Sequence, residues 1–141
     1  MTYATTISLD LPWHEAVVRT KEALAEQGFG ILSEIDVRAT FESKLGEQTA
    51  ADLGDYVILG ACNPALANRA LTTEPDLGLL LPCNVVVRRA PGSATTIVQA
   101  IDPQTMVQLS GSAAIGEVAS DAAVKLDAAL ARLEGAADRS S

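Results

Sequence analysis

The spacing of apolar residues changes several times along this chain, and each change marks a new element. Residues 2–9 are rich in β-branched side chains and partly alternate, which predicts a strand. Asp10 and Pro12 then supply helix-start chemistry. Trp13, Val17, Thr20, Leu24 and Gln27 fall on one helical face, with Glu15, Arg19, Glu22 and Glu26 on the outer side. Gly28 suits the positive-φ stop of that helix. From Phe29 the period shortens to two. Phe29, Ile31, Ser33, Ile35 and Val37 alternate with Leu32, Glu34 and Asp36, the pattern of a half-buried strand. Asp36 caps a short helix reaching Leu45 and closed by Gly46, and residues 46–54 read as a surface loop.

The second half begins with a nearly continuous apolar run from Tyr56 to Cys62, which predicts a central strand. Asn63 and Pro64 follow as cap and first residue of a helix to about Thr73, ended by Glu74-Pro75. After a break at Pro82, Asn84 to Arg89 form a strand. It turns through Ala90-Pro91-Gly92-Ser93 into a last strand from Thr95 to Ile101. Asp102-Pro103 opens a short helix interrupted at Ser110-Gly111. Ile115, Val118, Ala122, Leu126, Ala129 and Leu133 line one face of a final alanine-rich helix. The order is β-α-β-β-β-β-α with short helical insertions. This predicts an α+β fold, a mostly antiparallel sheet of about five strands with the first and last helices on one face. The apolar strands at 56–62 and 84–89 make a second subunit the expected cover for the other face.

Composition narrows the class of partner. The chain has 141 residues, 48% of them hydrophobic, enough for one domain over residues 1–134 with a frayed tail at 135–141. Aromatics are few, so the interior is packed with Val, Ile, Leu and Ala. A net charge of −8 argues against nucleic acid and anionic membrane surfaces, which are held by clustered Lys and Arg. The longest apolar run, Leu77 to Leu81, is far too short to span a bilayer. The first residues carry no charged n-region or apolar h-region, which predicts a cytoplasmic protein with reduced thiols.

The candidate chemistry lies in two matched motifs, Ala61-Cys62-Asn63-Pro64 and Pro82-Cys83-Asn84, which hold the chain's two cysteines. Cys62 precedes a helix N-terminus, where the dipole and free N–H groups favour a thiolate. If the strands at 56–62 and 84–89 pair antiparallel, the end of one lies beside the start of the other and the thiols meet. Such a pair suits reversible oxidation, a shared soft metal or an anion. Two small buried hydrophobes at sheet ends explain the same residues, and no Cys-x-x-Cys spacing decides against that. The single histidine, His14, reads as a solvated helix residue, so no metal ligand set and no cofactor are expected. Glu34 and Asp36 share one strand face and Asp102 precedes a helix. They are weaker candidates, with a solvent-facing strand edge, capping by Asp36 and a helix start at Asp102 as their simpler roles. No glycine-rich phosphate loop, nucleophile elbow or triad is present.

At Gly28–Asp36, Ile58–Pro64 and Gly78–Val87 the chain resembles the domain of unknown function 302 family, over about residues 3–133. The resemblance implies a compact α+β fold, often dimeric, in cytoplasmic bacterial or archaeal hosts. The expected function is non-enzymatic small-molecule binding or sensing by a homodimer, at Cys62, Asn63, Cys83 and Asn84. The alternative is thiol redox or sulfur chemistry by Cys62, with Cys83 as resolving partner.

Overall fold

A computed structural model describes residues 3–140, with side chains to residue 136. Five strands form one sheet: β1 (Ala4–Leu9), β2 (Gly30–Asp36), β3 (Asp55–Cys62), β4 (Cys83–Arg89) and β5 (Thr96–Ile101). Their spatial order is β1-β5-β4-β3-β2, and every neighbouring pair is antiparallel. The helices are α1 (Trp13–Glu26), α2 (Val37–Leu45), α3 (Glu47–Leu53), α4 (Pro64–Thr73), α5 (Gln104–Ser110) and α6 (Ala113–Ser140), with a 3₁₀ turn at Pro75–Leu80. Because β1 and β2 are the two edge strands, α1 must cross the sheet between them. It does so over the face that α6 also covers.

Strand alternation sorts the residues. Ile7, Val98, Val87 and Val57 make one inward row across four strands, and Ala100, Val85 and Leu59 the next. These pack with Leu24 of α1 and with Leu126, Ala129 and Leu130 of α6 into the main core. Buried polar groups there are matched locally. The indole Nε1 of Trp13 donates to the Val87 carbonyl at 2.9 Å, tying the start of α1 to the middle of β4. The hydroxyl of Thr96 donates to the Leu11 carbonyl at 2.7 Å. A second, smaller core forms beyond the sheet end, where Leu66 and Ala70 of α4 meet Leu77, Met106, Ile115, Val118 and Ala122. The long α6 contributes to both cores and joins them.

The predicted architecture is the observed one, with differences at the ends of elements. Residues 46–54 are not a loop: Glu47–Leu53 is a helix set between Gly46 (φ 96°) and Gly54 (φ 85°). Those glycines mark turns at both ends, and only Ala50 of α3 is buried, so no amphipathic stripe reveals the helix. The first strand starts at Ala4, Met1 and Thr2 lie outside the described residues, and α6 continues past Gly135 to Ser140. On the outer face of the sheet, Ile35, Ile58 and Val86 form an apolar row that ends in Gln99 and Thr6. Ile35 stays 48% exposed, consistent with a face that the described helices leave open. No helix among the described residues is long and apolar enough to cross a membrane.

Two glycine substitutions test this packing with opposite signs. A Cβ on Gly60 meets the Ser33 hydroxyl and comes within 2.9 Å of the Pro82 ring, whereas one on Gly135 meets open space. Gly60→Ala is expected to lose about 1–3 kcal/mol of stability through overpacking. Gly135→Ala is expected to gain about 0.5–1 kcal/mol through helix propensity. Urea unfolding followed by circular dichroism reads both.

Candidate functional site: a cavity lined by two thiols

Both cysteine motifs lie at the end of the sheet where β3 finishes and β4 begins. Cys83, the first residue of β4, stands directly opposite Ala61, which places Cys62 one step further along the neighbouring strand. After Cys62 the chain leaves the sheet through Asn63, whose extended backbone (φ −97°, ψ 106°) sets the start of α4. Its side chain works in two directions. Oδ1 accepts from the Leu66 N–H at 3.3 Å, capping α4, and Nδ2 donates to the Gln27 carbonyl at 3.2 Å. The second bond ties the start of α4 to the end of α1. It passes so close to Gly28 that a Cβ there would stand 3.0 Å from Nδ2, at a residue already at φ 84°.

Between this sheet end, α4 and α6 lies an apolar cavity of about 30 Å³, lined by Phe29, Cys62, Asn63, Cys83, Met106 and Ala122 among others. A water needs about 10–15 Å³ measured this way, so the space holds roughly two. Phe29 and Cys83 belong to the main core, and Met106 and Ala122 to the second, so the cavity sits at the seam between them. Cys62 is half-buried and reachable from solvent, whereas Cys83 is 8% exposed. Burial, and then the neighbouring Cys62, push the Cys83 thiol up from 9.0 to about 11.

The structure gathers three of the four main candidates. Asn84 is exposed and stands opposite Gly60, on the outer face of the sheet and away from the cavity. One residue of shift along a strand reverses the face, which is why the matched Cys-Asn pairs are not equivalent in space. The weaker candidates have structural work elsewhere. Glu34 pairs with Lys21 Nζ at 2.8 Å, and Asp36 caps α2 by accepting from the Ala39 N–H at 2.9 Å. The Asp102 carboxylate accepts from the Gln104 N–H at 3.0 Å. His14 packs edge-on against Trp13, with ring centroids 4.9 Å apart. Among the described residues no group of three or more His, Cys, Asp or Glu is placed to hold a metal. Met106 and Phe29 enter the site unannounced. Met106 is remote in sequence, and only the docking of the second core brings it in.

Three outcomes follow. Asn63→Ala removes a cap and a cross-helix bond and is expected to cost about 1–3 kcal/mol in urea unfolding. Iodoacetamide on the native protein is expected to label Cys62 first, with Cys83 protected until unfolding; peptide mass mapping reads the order. An unfolded chain ionises Cys83 near its ordinary 9.0, whereas the folded chain holds the proton to about 11. Stability from this group is therefore intact below pH 9 and lost as pH rises from 9 to 11. In Cys83→Ala that alkaline loss is expected to be smaller.

Comparison with known proteins returns a family and a fold. The family profile described as "Domain of unknown function DUF302" matches residues 4–133. A solved structure, that of an uncharacterized conserved DUF302 protein from Bacillus stearothermophilus, is similar at 30% identity with a TM-score of 0.81. The alignment covers 94% of this chain and 99% of that one. No curated protein matches.

Proposed function

The chain belongs to the DUF302 family of domains of unknown function, and from that starting point we propose that it is a non-enzymatic binding or sensing domain, acting as a homodimer, whose ligand occupies the thiol-lined cavity. The observation that carries this is the lining itself. Cys62, Cys83, Met106 and Phe29 line one small apolar space, and the one amide there, Asn63, is already committed on both sides. Such a space recognises something small and soft, and it offers no carboxylate or imidazole for proton transfer. A metabolite-sized ligand enters only if α4 or α5 moves. A cytoplasmic setting, which keeps thiols reduced, fits the two free cysteines. The redox alternative needs Cys83 to attack an oxidised Cys62, and a thiol raised to about 11 is almost wholly protonated at neutral pH. That difference favours binding.

The homodimer rests on the outer sheet face, where Ile35, Ile58, Val86 and Ile97 gather beside Arg88 and Gln99. A second copy of the same face buries the row and leaves the polar edge at the rim.

A ligand at one hundred times its Kd raises stability by about 2.7 kcal/mol. A thermal-shift screen of small thiophilic and apolar compounds is expected to find one whose effect disappears in Ala122→Leu, which fills the cavity. Stabilisation that survives Ala122→Leu would place the ligand elsewhere. For the dimer, light scattering is expected to give twice the chain mass for the natural protein and a single chain mass for Val86→Asp. A natural protein that is already monomeric would refute that interface.

A further inference from the structure

We propose that the cavity is a binding site for a soft monovalent metal ion, copper(I), held by the sulfurs of Cys62 and Cys83 with the thioether of Met106 as third donor. This deepens the binding function proposed above and stands on it. The chain contains two cysteines and two methionines, and three of these four sulfur-bearing residues line one small cavity; the fourth, Met1, lies outside the described residues. The three come from β3, β4 and α5, elements that sequence separation alone does not bring together.

The donor set selects the ion. Thiolate and thioether ligands are soft and favour copper(I), while magnesium, calcium and manganese want oxygen. Zinc in a structural site takes four N, S or O ligands, and no carboxylate or imidazole lines the cavity. The space of about 30 Å³ is on the scale of an ion and too small for a metabolite. Charge agrees as well. Two thiolates around one copper(I) carry a net charge of −1, and Cys62 lies just before the N-terminus of α4, whose dipole stabilises an anion. Half-buried Cys62 gives the ion a route in from solvent, and buried Cys83 then completes the site.

Binding changes no oxidation state. Each thiol gives up its proton as its S–Cu bond forms, and the metal stays copper(I). Displacement of thiol protons makes apparent affinity rise with pH. The bound ion would also clamp β3 and β4 to α5 across the seam between the two cores.

The test titrates the reduced full-length chain with copper(I) under anaerobic conditions, in competition with bathocuproine disulfonate. Expected are one tightly held ion per chain, at least about a hundredfold weakening in Cys62→Ala or Cys83→Ala, and about tenfold in the near-isosteric Met106→Leu. Natural protein that competes no better than Cys83→Ala would overturn the ion site. So would Met106→Leu binding copper(I) at full strength, since the thioether would then not be a donor. If the cysteine variants fail to fold, the thermal shift produced by silver(I), a soft ion inert to oxidation, is compared between natural protein and Met106→Leu. Equal shifts overturn the site. Failure of copper(I) and silver(I) alongside an organic ligand blocked by Ala122→Leu would sink the ion and leave the binding function. Failure of every probe would remove both.

Discussion

The pairing of β3 with β4 in one particular register is the constraint on which the rest of the molecule hangs. With Ala61 opposite Cys83, Val57 and Leu59 of β3 and Val85 and Val87 of β4 face the same side, and one slip of a residue would turn that set to solvent. At the end where slippage would begin, Gly60 leaves room for Ser33 and the Pro82 ring, which an added Cβ would strike. The same register delivers the last residue of β3 and the first of β4 to one place. The candidate site is thus a by-product of building the core, and no extra element is spent on it.

What happens beyond the sheet end depends on Asn63. By capping α4 and holding the Gln27 carbonyl, it fixes how the second core meets the first. Two apolar clusters that share only α6 as a continuous element must meet at a seam, and seams are where packing is least complete. The cavity with the two thiols lies on that line. Any occupant there touches both clusters at once, so its binding energy is spent on the relation between them.

Much of this was legible in the residues, and the limits have physical causes. Strong signals with a single local meaning held: the Asn63-Pro64 helix start, the Pro91-Gly92 turn and the stripe of α6. The strand predicted from Phe29 to Val37 is present as β2, but its alternation fails, because the register shift after Ile31 puts Ile31 and Ile35 on opposite faces. The helix α3 was missed because a seven-residue segment with one buried alanine has no stripe to show. The bulge at Leu32 in β2 was equally silent, since an extra residue in a ladder shows only once a partner strand is placed beside it. Of the site, Cys62, Cys83 and Asn63 could be found, because caps and strand ends are local. Asn84 was grouped with them by sequence likeness, and the period of two sends it to the other face. Met106 was out of reach, since its place depends on long-range docking of α5.

The central claim is that the register of β3 and β4 brings half-buried Cys62 and buried Cys83 to the lining of one cavity, where the thiols feel each other. The most direct measurement is an alkaline titration of Cys83, followed by thiolate absorbance, in Cys62→Ala against Cys62-containing protein with Cys83→Ala as the blank. Burial is the larger cause of its high pKa and Cys62 the smaller. The Cys83 value should therefore fall when Cys62 is removed, while staying above its ordinary 9.0. A Cys83 that titrates at the same pH with and without Cys62, or at its ordinary value in both, would contradict a shared site.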